Sequence, residues 1–434
     1  MLWTQWEKTL GKNKRRILLI EADSDTAWTA RTLTEKAHEF FEALSGFERG
    51  TRVAFCLPNG AQWIAFFLAL QKLGLAATPL DAGLPGPACL EMAQRLRCRA
   101  LFLHGKFHAL DPVAGDPKAP ACIKVTSGAS GGPPKNVPCQ AEHLIADGSN
   151  IIRTMGIRPR DRNLAVIPLG HSYGLGNLVL PLILQGTPLV CAGRFVPRQL
   201  IDWIGFYRIT VFPSVPAIFR ALASMPGKSR LAPLRLAISA GAPLTAEVAR
   251  AFFERYRLKI RNFYGSSETG GICYDRGGDA ALSGRSVGKP LAGVKVTVHR
   301  GAIEVESASV AKRNRRWRVP DRGEWNDRGE LVLLGRLGRE VNLGGKKVHP
   351  SEVEQALRTV PGVSDAVVWV AAHAERAFLQ AAVETRLPLA DVQRALAARL
   401  PEWMLPKRYA LMPELPRTGR GKADMAALRR KIEG

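Results

Sequence analysis

The sequence lacks any long hydrophobic run. Its 434 residues include no stretch approaching the ~18 consecutive apolar residues that a membrane helix requires. The first residues, Met1–Lys8, also lack the basic, apolar and small-residue sections of a signal peptide. We therefore expect a protein without a membrane span that stays in the cytoplasm.

Cysteines are few and scattered. The chain has 7, an odd number, and no two of them form a Cys-x-x-Cys pair. This pattern argues against both a disulfide framework and a zinc site. We expect reduced and mostly buried thiols.

Acidic residues are outnumbered. The 38 Asp and Glu against 62 Lys and Arg leave a formal charge of +24 at pH 7, which attracts anionic partners such as nucleotides, coenzyme A, acidic carrier proteins or nucleic acid. No zinc finger or RNP motif accompanies the charge, so nucleic-acid binding is not favoured. The densest basic run, Lys312–Arg318, is predicted to be a solvated loop, with an anion-docking patch as the alternative.

What the sequence does contain is a repeated alternation of short apolar strands and helices. Residues 53–57 predict a strand, a helix with Trp63 and Phe67 on one face follows, and Gly74 is placed to end that helix before a strand at 75–80. The alternation recurs over residues 164–191 and 211–263. It is typical of an α/β fold with parallel or mixed sheets covered by helices.

The pattern changes after about residue 337. A helix near Pro350, strands at 366–370 and 378–383, a helix over 389–400 and a closing helix over 423–432 predict a compact α+β unit. We predict a large N-terminal domain of residues 1–335 and a small, mobile C-terminal domain of residues 336–434.

Four separated segments carry possible chemistry. In Thr126–Lys135, small residues leave backbone N–H groups open to phosphate oxygens, although Asn136 after Lys135 rules out a Walker loop. Asn262–Gly270 follows a predicted strand, where ligands of open α/β sheets bind, and offers a tyrosine for a purine, a serine for a phosphate and Glu268 for Mg²⁺.

The other two segments lie nearer the C-terminus. The carboxylate of Asp321 can accept hydrogen bonds from both hydroxyls of a ribose, and the guanidinium of Arg336 can support it. Leu415–Lys422 is a glycine-rich loop whose lysine can swing into a site. Taken singly, each of the four segments also suits an ordinary surface turn or ion pair.

Together and in this order, the segments resemble the adenylate-forming superfamily of acyl- and aryl-CoA synthetases, luciferases and nonribosomal-peptide adenylation domains. The resemblance covers about Trp28 to Ile432. The matching segments are Thr126–Lys135 (T-S-G-T-T-G-x-P-K-G in the family), Pro168–Gly174 (P-x-x-H-x-x-G), Ser239–Pro243 (the adenine-pocket segment), Tyr264–Glu268 (Y-G-x-T-E), Asp321 (T-G-D), Gly335-Arg336 (G-R), Leu400–Pro406 (L-P-x-Y-M-V-P) and Lys422.

The resemblance implies an enzyme that uses ATP and Mg²⁺ to turn a carboxylic acid into an acyl-adenylate and then passes the acyl group to CoA or to a phosphopantetheine thiol. The implied nucleotide-binding residues are Thr126, Ser127, Gly128, Ser130, Gly131 and Lys135 for the triphosphate, Gly241, Ala242, Tyr264 and Gly265 on the adenine side, Ser267 for the α-phosphate, and Asp321 and Arg336 for the ribose. The implied catalytic residues are Lys422, Glu268 as the Mg²⁺ ligand, and His171 beside the acyl group.

Some positions depart from the family pattern. The phosphate loop has one extra residue before Lys135, and Ala129 replaces a hydroxyl residue, so we expect weaker binding on the pyrophosphate side. Gly338 stands at the hinge, where Asp or Lys is usual. Glycine allows the domain movement but fixes neither end state.

Several functions stay open at this point. An amino-acid-selecting adenylation domain is less favoured, because residues 168–177 contain no acid to hold an ammonium group. Transfer to an acidic acyl carrier protein instead of CoA is consistent with the charge of +24. A non-enzymatic nucleotide-binding homologue is the third possibility, and the acid itself, fatty or aromatic, is not identified.

Overall fold

The computed structural model describes the chain except for residues 112–113, 117, 127–134, 194–195, 227–230, 337–340, 344–345, 349, 374–375, 419–422 and 434. All elements below belong to the described part.

The strands are short and spread along the whole chain. In order they are β1 (Ile17–Glu21), β2 (Thr26–Thr29), β3 (Arg52–Cys56), β4 (Ala76–Pro79), β5 (Ala100–Leu103), β6 (Lys106–Ala109), β7 (Cys122–Thr126), β8 (Lys135–Cys139), β9 (Asn163–Ala165), β10 (Leu189–Cys191), β11 (Val211–Ser214), β12 (Leu236–Ser239), β13 (Ile260–Ser266), β14 (Gly270–Tyr274), β15 (Lys289–Pro290), β16 (Val294–His299), β17 (Ala302–Ser307), β18 (Arg316–Trp325), β19 (Leu331–Arg336), β20 (Val341–Leu343), β21 (Lys346–Val348), β22 (Val363–His373), β23 (Arg376–Thr385) and β24 (Arg408–Met412).

Helices lie between most of the strands. They are α1 (Leu2–Asn13), α2 (Ala30–His38), α3 (Phe41–Ser45), α4 (Ala61–Leu73), α5 (Gly86–Arg95), α6 (Ala141–Met155), α7 (Ser172–Gly174), α8 (Leu180–Gln185), α9 (Pro197–Phe206), α10 (Pro216–Ala223), α11 (Ala246–Tyr256), α12 (Asp279–Ser283), α13 (Pro350–Arg358), α14 (Leu389–Ala397) and α15 (Met425–Glu433). A π-helical turn, Leu175–Val179, joins α7 to α8, and a 3-10 turn covers Glu402–Met404.

Two large sheets form the N-terminal part. One has nine strands in the order β15-β14-β13-β12-β11-β9-β10-β1-β2, and the other has six in the order β6-β5-β3-β4-β7-β8. In the nine-stranded sheet, β1 and β9 to β13 pair in parallel, and the antiparallel strands β2 and β14 flank them. The predicted α/β architecture with mixed sheets is therefore confirmed.

The core centres on α4. Every residue of this helix from Trp63 to Leu70 is buried, as expected for a helix that is apolar all round. Each large apolar side chain buried here contributes roughly 1.5–3 kcal/mol to folding. Gly74 ends the helix as predicted, in the left-handed region at φ 69°, with its N–H donating to the carbonyl of Leu70.

A third sheet, β16 to β19, is antiparallel and carries charges across its strands. Lys295 and Arg316 lie opposite Glu306 on its two sides, and Arg316 forms an ion pair of 3.0 Å with Glu306. The prediction of a loop over residues 312–318 is wrong for its second half, because β18 begins at Arg316. Alternating exposed and buried positions, paired against the acidic strand, stabilise the strand despite the high charge.

The C-terminal part has its own sheet, β22-β23-β24, covered by α13 and α14 around a separate apolar cluster. The predicted domain boundary at residues 335 and 336 falls on the last two residues of β19, so the division into 1–335 and 336–434 stays a prediction. Contacts cross the boundary: the Arg220 guanidinium in α10 donates to the Glu384 carboxylate in β23 and, at 3.2 Å, to the Ser364 carbonyl.

Two expectations from composition concern burial and membranes. All seven cysteines are free and buried. Among the residues described, no helix combines the length and the apolar character needed to cross a bilayer.

Candidate active site

The candidate site lies at the carboxyl ends of the parallel strands. Ser239 at the end of β12 is opposite Asn262 in β13, and β13 then runs through residues 267–269 into β14. We call residues 266–271 the β13–β14 turn. It carries Ser267 and Glu268, so two of the predicted residues lie where ligands of such sheets bind.

A hydrogen bond joins two of the predicted segments. The Tyr264 hydroxyl donates to Asp321 Oδ2 at 2.6 Å, across 57 residues of sequence. Asp321 lies on β18 directly opposite Arg336 on β19, whose side chain is outside the described residues. The structure thus brings together the tyrosine, the aspartate and the backbone of the arginine, as the motifs predict.

The Pro168–Gly174 segment reaches the same turn. Ser172 Oγ donates to Ser267 Oγ at 2.8 Å, and His171 Nε2 lies 3.4 Å from Asp81 Oδ2. Tyr173, next in the chain, donates its hydroxyl to the Ile238 carbonyl at 2.9 Å. Burial raises the pKa of Tyr173 well above 10, so this hydroxyl stays protonated at neutral pH.

The phosphate loop is seen only at its two ends. Thr126 ends β7 and Lys135 begins β8, and the two are direct partners in an antiparallel pair. The loop is therefore rooted at the edge of the six-stranded sheet. Four predicted phosphate-binding residues, Ser127, Gly128, Ser130 and Gly131, lie outside the described residues, as do the side chains of Thr126 and Lys135.

Several hydrogen bonds fix the β13–β14 turn. The Ala311 N–H donates to the Glu268 carbonyl at 2.8 Å, Ser309 Oγ donates to the Thr269 carbonyl at 2.7 Å, and the Gly271 N–H donates to Asp147 Oδ1 at 2.9 Å. The Glu268 side chain itself remains half-exposed. A rigid turn with one available carboxylate suits Mg²⁺, which binds through one or two carboxylates together with substrate phosphates. In the described part, no three His, Cys, Asp or Glu residues cluster as a self-contained metal site.

Glycines shape the adenine side. Gly241 follows β12 with φ 86° and is exposed, a conformation that favours glycine, and Ala242 beside it is small. At Gly265, an added Cβ would come within 2.6 Å of the Gly270 carbonyl oxygen. Gly241 therefore exposes backbone after β12, whereas Gly265 is packed too closely against β14 to carry a side chain.

The C-terminal lysine loop is described only at its flanks. Arg417 and Ala423 form an isolated antiparallel bridge. Lys422 and the predicted hinge residue Gly338 lie outside the described residues.

Sequence reasoning missed three charged residues at the site. Asp81 follows β4 and contacts His171, and buried Lys124 and Asp147 lie under the β13–β14 turn. None belongs to a recognisable motif. The signal available in sequence was the presence of Lys124 inside an otherwise apolar strand.

Comparison with known proteins decides the family. The family model for the AMP-binding enzymes matches residues 6–114 and 104–302, and the model for the AMP-binding enzyme C-terminal domain matches residues 352–422. The chain belongs to the AMP-binding enzyme family. The predictions of an adenylate-forming relative and of an AMP-forming acid–thiol ligase are thereby confirmed.

Relatives of this AMP-binding enzyme have low sequence identity to it but align along nearly the whole chain. The long-chain-fatty-acid–CoA ligase FadD13 of Mycobacterium tuberculosis is 23% identical, and the alignment covers 94% of each chain. The feruloyl-CoA synthase of an Amycolatopsis species is 25% identical with the same coverage. The sulfoacetate–CoA ligase of Cupriavidus necator is 27% identical, again over 94% of each chain.

Solved structures show the same fold. ATP-bound MatB from Rhodopseudomonas palustris aligns with a TM-score of 0.83 at 21% identity, over 100% of this chain and 98% of that chain. The o-succinylbenzoate CoA synthetase MenE from Bacillus subtilis, in complex with AMP, also has a TM-score of 0.83 at 21% identity, over 99% and 98% of the two chains.

Proposed function

We propose that this AMP-binding enzyme activates a fatty or aromatic carboxylic acid at the cleft around Tyr264, Asp321 and Glu268, and transfers the acyl group to CoA. The observation that carries the site assignment is the 2.6 Å hydrogen bond between Tyr264 and Asp321, which unites two motifs of the nucleotide site. A reduced cytoplasmic setting suits the seven free thiols.

The first reaction is an in-line displacement. The carboxylate of the acid attacks the α-phosphorus of ATP, the bond to the bridging oxygen breaks, and pyrophosphate leaves. Such phosphoryl chemistry depends on positioning and charge neutralisation more than on covalent catalysis. When bound, Mg²⁺ would neutralise charge on the phosphates, and Glu268 would hold it.

Each remaining residue then has one task. Tyr264, with the open backbone at Gly241, holds the adenine, and Asp321 accepts hydrogen bonds from the ribose. Ser267 donates to the α-phosphate. Thr126 and Lys135 bind the triphosphate from the roots of the phosphate loop.

The second reaction needs a changed arrangement of the small domain. Lys422 bridges the acyl and phosphate oxygens during adenylation. Rotation of residues 336–434 then removes it and presents the segment Gly344–Val348 to the thiol, which attacks the acyl carbon as AMP leaves. Closure and rotation of whole domains about a few hinge residues is a common way to complete a site.

The acid class is proposed from relatives. Their names include ligases for long-chain fatty acids, feruloyl and 3-hydroxybenzoate groups. A screen of pyrophosphate exchange with fatty, aryl and amino acids identifies the substrate, and CoA and an acidic acyl carrier protein are then compared as acceptors. Activation of amino acids alone would contradict the proposal.

The Lys422→Ala variant tests the catalytic assignment. We expect pyrophosphate exchange to fall by a factor of about one hundred to one thousand, because one charged donor to the transition state is removed. ATP binding, measured by calorimetry, should change little. Lys431→Ala, which removes a charge from α15 nine residues away in sequence, is the matched control. Unchanged exchange in Lys422→Ala would refute the assignment.

A further inference from the structure

A buried lysine lies directly under the nucleotide site. Lys124 is on β7, two residues before the start of the phosphate loop, and only 4% of it is exposed. Burying an ammonium group costs several kcal/mol unless partners compensate for the lost water. The side chain points towards the β13–β14 turn, where Nζ is 3.4 Å from the Ser267 carbonyl oxygen.

The groups around this ammonium come from α6, β7, β8 and the β13–β14 turn. Asp147 of α6, itself 3% exposed, the thiols of Cys122 and Cys139 on β7 and β8, and the Ser267 carbonyl of the turn all face it. Burial alone would lower the pKa of Lys124, but its neighbours, Cys139 and Asp147 among them, raise it above the ordinary value. The lysine is therefore a cation at neutral pH.

Lys124 and Asp147 hold opposite ends of the same turn. Lys124 contacts the carbonyl at Ser267, and Asp147 Oδ1 accepts the N–H of Gly271 at 2.9 Å. Between these two contacts lies Glu268. An added Cβ at Gly270 would come within 2.2 Å of Asp147 Oδ1, so the carboxylate is packed tightly against the turn backbone.

We propose that Lys124 is a positioning residue for adenylation, which fixes the backbone of Ser267 and so sets the positions of Ser267 and Glu268 relative to the phosphates of ATP. This inference rests on the proposed function, because it assigns those two residues to the nucleotide. It links the root of the phosphate loop on β7 to the turn after β13. The end of β7 and the β13–β14 turn thereby keep a fixed separation.

The alternative role is an ion pair that only stabilises the fold, and the two roles predict different behaviour. If Lys124 only balances the charge of Asp147, then removing both charges restores stability and activity together, since a neutral buried pair is often no worse than a charged one. If Lys124 positions the turn, then removing both charges restores stability alone. A displacement of about 1 Å in reacting groups can cost a hundred-fold in rate.

The experiment compares Lys124→Met with the double variant Lys124→Met/Asp147→Asn. Three quantities are measured for each protein: the urea midpoint of unfolding, calorimetric binding of ATP with Mg²⁺, and the kcat and KM of pyrophosphate release. We expect Lys124→Met to be destabilised. We expect the double variant to recover the urea midpoint while its kcat stays about ten- to a hundred-fold low and its binding of ATP with Mg²⁺ stays weakened.

The outcomes separate the two proposals. A double variant with wild-type kcat and ATP binding overturns the positioning role, although the proposed function survives. A wild-type chain that neither binds ATP nor exchanges pyrophosphate overturns the proposed function itself. Lys259→Met is the matched control, since Lys259 forms an exposed 2.7 Å ion pair with Asp279, and its kcat should equal that of the wild type.

Discussion

At the scale of single residues, Tyr264 and Asp321 show how the site is held before any ligand arrives. The phenol donates to a carboxylate at 2.6 Å, a short bond typical of a charged acceptor. It fixes the orientation of the phenol ring and of the carboxylate, as the proposed contacts with adenine and ribose require. One hydrogen bond thus fixes two side chains that come from different sheets.

Tyr264→Phe tests this arrangement. The variant keeps the ring but removes one donor to Asp321, and hydrogen bonds to charged groups contribute about 1.5–3 kcal/mol. We expect the Kd for ATP to rise by about ten-fold or more, with little change in the KM for the acid.

Tyr256→Phe is the control for that substitution. Its hydroxyl donates at 2.7 Å to the Leu222 carbonyl, away from the site, so the same chemical change should leave ATP affinity unaltered. If both variants bind ATP equally well, Tyr264 has no role in orienting Asp321.

Which residues could be predicted depended on whether they belong to a motif. Tyr264, Glu268 and Asp321 lie in spaced patterns, so the sequence indicated them and their convergence. Lys124, Asp147 and Asp81 stand alone, and their importance follows from burial and contact, which a single sequence does not contain. The roles of Lys422 and of the phosphate loop are proposed from their motifs.

At the scale of elements, periodicity predicted the helices and strands that pack in the core. The strand over Arg316–Trp325 was missed because its outer face is basic. Its pairing with Glu306 could not be inferred until the neighbouring strand β17 was known. The helical stretch within residues 164–191 begins at Ser172 and runs through a π-helical turn into α8. Local propensity does not reveal such a change of hydrogen-bond register.

An ion-pair network connects elements of the C-terminal part. Asp365 in β22 accepts from Arg358 at the end of α13 and from Arg417 before the lysine loop, both at 2.9 Å. Burial alone would raise the pKa of Asp365, but the two arginines lower it below the ordinary value of 3.8. The charged carboxylate therefore stabilises the folded state at neutral pH.

The sign of this effect gives a pH prediction. Since the folded pKa lies below the unfolded one, stabilisation by Asp365 is fully present above about pH 4 and is lost as the pH falls through the folded pKa. We expect Asp365→Asn to be less stable than wild type at about pH 7, with the difference shrinking towards about pH 3. Urea midpoints across this range measure it, and a constant difference would contradict the prediction.

At the scale of the whole molecule, the contact of Arg220 with Glu384 joins the two predicted domains. Glu384 is 3% exposed, and its other oxygen accepts from Arg417 at 2.9 Å and from the Leu415 N–H at 3.1 Å. The large domain is therefore connected, through one carboxylate, to the segment that leads to Lys422.

Arg220→Met tests this connection. Arg417 still compensates Glu384, so the C-terminal sheet should remain folded, while backbone amides near Ser364 and Glu384 exchange hydrogen faster and pyrophosphate release slows several-fold. Arg322→Met removes the more exposed contact with Glu352, 3.4 Å in length, and should have a smaller effect because exposed pairs contribute little. Equal exchange rates in Arg220→Met and wild type would show that the contact does not restrain the domains.

The seven buried cysteines have a practical consequence for experiments on the proposed rotation of residues 336–434. Thiolates are the reactive form of cysteine, and burial raises the pKa of Cys98 to about 11 and that of Cys56 to about 12. The folded chain should thus be nearly inert to maleimide dyes. One cysteine engineered on each domain surface would take up a fluorophore selectively, so energy transfer between dyes would test the proposed rotation in real time with all native cysteines in place.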